Sequence, residues 1–153
     1  MQGDEQGKPR QAAIRLLARR EHSQQELRRK LTAKGFEAQQ VDELIARLLQ
    51  EGLLSDARFT ESFVRSRADR GWGPLRIRAQ LQERGVGEEL IDAFIDERAG
   101  HWRETVRAVR AKRFGESPPA RPQERAKQIR FLQYRGFTAD QIRDVLECPQ
   151  GDN

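Results

Sequence analysis

The chain of 153 residues holds a single cysteine, Cys148, so no internal disulfide can form, which agrees with a cytoplasmic setting. Aromatic residues are scarce at 7% and runs of β-branched residues are almost absent, which argues against an all-β sandwich or a doubly wound sheet. No stretch reaches the ~18–20 uninterrupted apolar residues of a bilayer span. The opening Met1-Gln2-Gly3-Asp4-Glu5 lacks the basic flank and apolar run of a secretory signal. Hydrophobic residues make up 36% and charged residues 35%, against about 45–50% and about 25% in an ordinary globular domain. That composition is too polar for one thick central core. The apolar residues are nonetheless periodic, which excludes disorder.

Reactive chemistry is equally sparse. The two histidines, His22 and His101, stand alone and read as ordinary surface residues. Cys148 has no basic neighbour to activate it, and reads as a spectator thiol. No Cys/His cluster has zinc spacing. Gly71-Trp72-Gly73 follows a helical pattern and no strand, so it is not a dinucleotide fingerprint. Acidic pairs such as Glu88/Glu89 and Asp96/Glu97 fall at helix ends and read as solvated. The expectation is therefore no catalytic residue, no metal and no cofactor.

Charge is present, and it is uneven. Net charge is +5, yet residues 86–97 hold five acids and no base, while residues 98–136 hold 11 bases against three acids. Only five of the 29 basic residues are lysines. Arginine's planar fork suits carboxylates, phosphates and aromatic faces; a GC-rich genome gives the same bias.

The strongest signal is a unit written three times. Leu31-Thr32-Ala33-Lys34-Gly35-Phe36, Leu81-Gln82-Glu83-Arg84-Gly85-Val86 and Leu132-Gln133-Tyr134-Arg135-Gly136-Phe137 align on their glycines. Apolar residues follow each glycine at the same offsets: Val41, Leu44 and Ile45; Ile91, Phe94 and Ile95; Ile142, Val145 and Leu146. The pattern predicts an amphipathic helix ended by a left-handed glycine, with the next apolar residue folded back on it and a second helix starting at once. Ser23-x-x-Glu26 and Thr138-x-x-Gln141 read as capping boxes. Gly73-Pro74 starts a helix through proline at its first position, and Ser55 with Asp56 caps another.

A further helix precedes each pair. Its apolar face is read as Ile14, Leu17 and Ala18 in residues 9–21, Phe59 and Phe63 in 56–70, and Trp102, Val106 and Val109 in 99–114. The expected fold is all-α: three tandem three-helix repeats at 9–50, 54–98 and 99–147, with a Pro-rich loop at 117–122 and flexible tails at 1–8 and 148–153. One unit's apolar burial barely offsets the entropy of ordering it. The repeats should therefore lean on their neighbours and form an elongated, curved rod, a form suited to lying along something large.

What remains is surface. Arg103, Arg107 and Arg110 recur on one face of the helix at 99–114, and Arg65, Arg67, Arg70, Arg76 and Arg78 cluster in the middle unit. These stripes suit DNA phosphates or an acidic protein groove, or else are solvated faces paired with nearby acids. Trp72 either stacks on a base or lines the helix junction.

Leu54-Ser55-Asp56-Ala57-Arg58-Phe59, Phe63-Val64-Arg65-Ser66-Arg67, Arg70-Gly71-Trp72-Gly73-Pro74-Leu75-Arg76-Ile77, Leu81 and Arg84-Gly85-Val86 together resemble the bacterial RecX family of recombination regulators. Phe131-Leu132-x-x-Arg135-Gly136-Phe137 and Ser23-x-x-Glu26-Leu27 extend the resemblance over residues 11–147. It implies a cytoplasmic, all-helical protein that lodges in the groove of the RecA–DNA filament and suppresses its ATPase, strand-exchange and co-protease activities. A monomer with at most weak single- or double-stranded DNA contact is expected. The eight arginines above are assigned to the contact surface from charge and repeat geometry; the resemblance does not specify them. The alternative is a stand-alone DNA-binding protein of helix-turn-helix-like units, whose affinity would fall steeply with salt in the absence of RecA.

Overall fold

A computed structural model describes residues 2–147, and the expected tail at 148–153, with Cys148, lies outside them. The described residues form nine α-helices and no strand: α1 (Gln2–Arg19), α2 (Gln24–Ala33), α3 (Ala38–Gln50), α4 (Asp56–Asp69), α5 (Pro74–Glu83), α6 (Glu88–Phe94), α7 (His101–Phe114), α8 (Pro122–Arg135) and α9 (Ala139–Glu147). α1 begins upstream of residue 9 and carries Pro9 inside it. Helices α1, α2 and α3 pack on one another, as do α7, α8 and α9. The chain divides into two compact units, Met1–Ser62 with Leu81–Leu90 and Phe63–Gln80 with Ile91–Asn153.

The three glycine stops close as their local chemistry requires. The N–H groups of Phe36, Val86 and Phe137 donate to the carbonyls of Leu31, Leu81 and Leu132 at 3.4, 3.1 and 3.2 Å. Each bond satisfies a carbonyl that the helix end would otherwise leave open. Two more stops of this kind end α3 and α4. Leu53 N–H donates to the Leu48 carbonyl and Trp72 N–H to the Arg67 carbonyl, past Gly52 and Gly71. Both capping boxes form: Ser23 with Glu26 at 3.1 and 3.2 Å, and Thr138 with Gln141 at 3.2 and 2.9 Å. Ser55 Oγ accepts from Arg58 N–H at 3.1 Å. Asp56 turns instead to α2, where its carboxylate accepts from the Gln24 backbone and side chain.

The repeated glycine has a second use. In the first unit the start of α2 meets the end of α5, where Ser23 Oγ donates to the Arg84 carbonyl at 2.8 Å. In the second unit the start of α5 meets the end of α8 in the same manner. Gly73 N–H donates to the Arg135 carbonyl at 2.7 Å and Leu75 N–H to the Gly136 carbonyl at 2.9 Å. Donors at one helix start, a serine hydroxyl at the first junction and backbone N–H groups at the second, thus satisfy open acceptors at another helix's C-terminus, and the helix dipoles favour the meeting.

The core of the first unit is Ala13, Leu27, Leu31, Val41, Leu44, Ile45, Leu48 and Leu54, with Leu16 and Leu17 packed against it. The inward face of α1 is therefore rotated from the expected one. Ile14 is 43% exposed and Ala18 is also exposed, because Ala13, Leu16 and Leu17 meet α2 and α3 more closely. In α7 the expected stripe holds, with Trp102 and Val106 buried and Trp102 Nε1 donating to the Asp96 carbonyl at 3.0 Å.

His22 departs from its reading as a surface residue, being only 1% exposed. The Lys30 ammonium, 2.9 Å from Nε2, can only donate, so Nε2 accepts and Nδ1 carries the proton toward the Arg20 carbonyl, 3.0 Å away. Burial pushes the imidazole below its ordinary value of 6.5, outweighing the hydrogen bond to the Arg20 carbonyl that favours its charged form, and the positive charges of the Arg20 and Lys30 side chains add to the lowering. As pH falls below that ordinary value, the unfolded chain binds a proton that folded His22 does not, so stability is lost on acidification. Melting temperature should therefore drop between about pH 7 and about pH 5. His22→Asn, which retains a donor toward Arg20, should flatten that slope. An unchanged slope would show that another group sets it.

Candidate functional site

The eight arginines assigned from sequence all fall in the second compact unit, but they take three different roles. Arg65, Arg70 and Arg103 are exposed, and Arg103 has only a long contact, 3.9 Å, to Asp144. Arg67, Arg76 and Arg107 are half-buried. The Arg67 guanidinium lies 4.7 Å from the Phe63 ring centroid.

Arg78 is occupied within the unit. It pairs with Asp92 at 2.7 Å and Glu97 at 2.8 Å, two members of the acidic block. Partial burial disfavours its charge, but the hydrogen bonds and charges of those carboxylates outweigh it and hold the guanidinium above its ordinary range. Arg110 leaves the basic stripe altogether and is 1% exposed. Its Nε donates to Gln128 Oε1 at 3.0 Å and its Nη2 to the Ser117 carbonyl at 2.6 Å. Its Nη1 reaches the Gly115 and Glu116 carbonyls at 3.4 and 3.5 Å. Spacing along α7 put Arg110 with Arg103 and Arg107; the turn after the helix folds back over it.

The structure also gathers residues that the sequence reading passed over. A groove of about 570 Å³ runs among α4, α7 and α8, lined by Arg70, Lys112, Arg113, Arg135 and Phe131, with Asp69 and Glu104 on its wall. Beside it, arginines and aromatic rings alternate. Arg76 and Arg135 lie 4.4 and 4.5 Å from the Trp72 ring centroid. Arg76 is also 4.6 Å from the Tyr134 ring, and Arg135 and Arg113 are 5.3 and 5.1 Å from the Phe131 ring. Trp72 is thus half-buried at a helix junction, clasped by two cations. A signal for this ladder was present. Arginine follows an aromatic residue by four positions in Phe63/Arg67, Trp72/Arg76 and Phe131/Arg135, and each pair forms a cation–π contact.

Models of the three RecX three-helix domains match the chain in order: the first over residues 10–48, the second over 55–94 and the third over 103–146. The chain belongs to the RecX family. It is 48% identical over 144 residues to the Regulatory protein RecX of Halorhodospira halophila, covering 94% of this chain and 89% of that protein. To the Regulatory protein RecX of Pseudomonas fluorescens it is 45% identical over 137 residues, covering 90% and 88%. The crystal structure of RecX from Lactobacillus salivarius shares the fold, with a TM-score of 0.78 at 20% identity, covering 95% of this chain and 96% of that one. A second crystal structure of a regulatory protein RecX superposes with a TM-score of 0.79 at 21% identity, covering 95% and 72%. As in that family, the fold is three all-helical domains in tandem. No helix among the described residues is long and apolar enough to cross a membrane.

Proposed function

We propose that this chain is a cytoplasmic regulator that binds the RecA nucleoprotein filament and lowers its ATPase, strand-exchange and co-protease activities. The observation that carries the reading is the ordered match of all three RecX domains. It acts as a monomer by occupying a surface, with no catalytic step, and its repeats are 9–50, 54–98 and 99–147. The arginines of the second compact unit support such a role. Arg65, Arg67, Arg70, Arg76, Arg103 and Arg107 are the proposed contact residues, while Arg78 and Arg110 are committed to internal partners. Several weak contacts made at once to neighbouring subunits of a polymer give an avidity that none has alone.

The test is RecA ATPase on single-stranded DNA, titrated with the wild-type chain and with a variant carrying Arg65→Glu, Arg70→Glu and Arg103→Glu. The wild type should inhibit. The triple variant, helical by far-UV circular dichroism, should need roughly tenfold more protein, since reversed charges oppose encounter with an acidic surface. No inhibition by the wild type would sink the reading. Equal inhibition by both would sink the assignment of these arginines.

A further inference from the structure

The arginine–aromatic ladder is more than internal packing needs. None of the ion pairs among the described residues engages Arg76, Arg113 or Arg135. By contrast Arg10, Arg20, Arg28, Arg58 and Arg78 all pair with carboxylates closely. The ladder's charges are held on ring faces instead, with Arg113 exposed, Arg76 and Arg135 half-buried and the buried Arg76 Nε left without a partner. Arg76 places one donor on the Tyr134 carbonyl and Arg135 one on the Arg70 carbonyl, out of five N–H donors on each guanidinium.

At its outer end stands Tyr134, which is 62% exposed although Arg76 covers its ring. The Trp72 and Tyr134 centroids are 6.2 Å apart, with the rings inclined at 59° and Arg76 shared between them. A large exposed aromatic beside unneutralised guanidinium groups suits a ligand that carries both a flat π-face and negative charge. An unpaired nucleotide has both. Bases inside a duplex are stacked on their neighbours and cannot present a free face, whereas single-strand binding proteins pair aromatic platforms with basic grooves in this way.

We propose that Tyr134, supported by Arg76, Trp72 and Arg135, is a stacking site for an unpaired base of single-stranded DNA. The flanking phosphates run toward Arg70, Lys112 and Arg113 in the adjoining groove. The site stands on this geometry and not on the regulator reading, so its test contains no recombinase and either can fail alone.

The test measures fluorescence anisotropy at one fixed salt concentration. The titrants are a labelled oligothymidylate, an abasic strand of equal length with the same phosphates, the matching duplex, and polyglutamate as a competitor. The oligothymidylate should bind roughly tenfold more tightly than the abasic strand, the scale of one stacked base, and more tightly than the duplex. Tyr134→Ala should abolish that preference while leaving abasic binding unchanged, and Tyr134→Phe should retain it. The comparison of strands on the wild type needs no variant, so it decides even if Tyr134→Ala folds poorly. Equal affinity for the oligothymidylate and abasic strands, or a preference that survives Tyr134→Ala, overturns the proposal. So does absence of binding to any strand. Displacement by polyglutamate at the oligothymidylate's own affinity would also overturn it, by assigning the surface to an acidic protein.

Discussion

Gly136→Ala is expected to destabilise the fold by about 3–5 kcal/mol, and Gly35→Ala, the same change at the equivalent place in the first repeat, by about 1 kcal/mol. Both glycines have a left-handed φ, +97° and +98°, so both alanines carry the same intrinsic strain of about 1–2 kcal/mol. Alanine recovers about 0.4–1 kcal/mol at each by restricting the unfolded chain. Surroundings separate them. A Cβ on Gly35 meets nothing within 4 Å. On Gly136 it overlaps the Arg76 Cβ and comes within 2.6 Å of the Arg76 backbone nitrogen. Backbone cannot swing aside as a flexible side chain does, so the two segments must part. Parting them strains the bonds from Gly73 and Leu75 to the carbonyls of Arg135 and Gly136. Gly73→Ala should lose stability through the close approach alone, since its φ is not left-handed but its Cβ would lie 2.5 Å from the Gly136 carbonyl carbon. Urea melts of the three variants decide the matter. Equal losses at Gly35 and Gly136 would mean that the left-handed turn alone demands glycine, and that the close approach contributes nothing.

That comparison shows where the sequence is legible. The stops and capping boxes depend on residues one to five positions apart, so the strings around Gly35, Gly85 and Gly136, and Ser23-x-x-Glu26, suffice to place helix ends. The same rule, applied to Arg67-Ala68-Asp69-Arg70-Gly71-Trp72, would have found the stop at the end of α4. What the sequence hides is long-range. Ser23 reaches Arg84 across 61 residues, and Gly136 admits the Arg76 backbone across 60, so the glycine repeat reads as a turn device although it is also a docking surface. The face of α1 was misplaced because Ile14 and Ala13 are adjacent, and only the positions of α2 and α3 decide which points inward. His22 was misread for the same reason: a solitary histidine looks like a surface residue until its neighbours close over it. Of the candidate interface, the arginine-rich second unit was legible. The commitment of Arg78 and Arg110 to internal partners was not, since carboxylates, an amide and carbonyls from other elements determine it, whereas the ring contacts of Arg67, Arg76 and Arg135 follow a four-residue spacing already present in the sequence.

Arg110 is the sharpest case, and Arg110→Met should cost about 2–3 kcal/mol. Methionine keeps the length of the side chain and its apolar contacts but donates nothing. Gln128 Oε1, on a buried side chain, then loses its donor at a cost of about 1–3 kcal/mol, while the carbonyls of Gly115, Glu116 and Ser117, on exposed residues, turn to water and release the turn. A chain of this size then melts roughly 10 °C lower. Lysine should recover only part, because one ammonium cannot span the fork that binds four oxygens. Loss should begin locally: amides of residues 115–121 should exchange with deuterium faster in Arg110→Met before the core does. Burial already holds this guanidinium below its ordinary range, and the four oxygens it reaches are amide and backbone oxygens, none of them a carboxylate. Its hydrogen bonds therefore carry the whole cost of desolvation. If the turn is its sole task, Arg110→Met kept cold enough to remain folded should inhibit RecA as the wild type does, while the exposed Arg65, Arg70 and Arg103 reversals should not. Loss of inhibition by folded Arg110→Met would instead make the 115–121 turn part of the contact, held in shape by an arginine that never touches the partner.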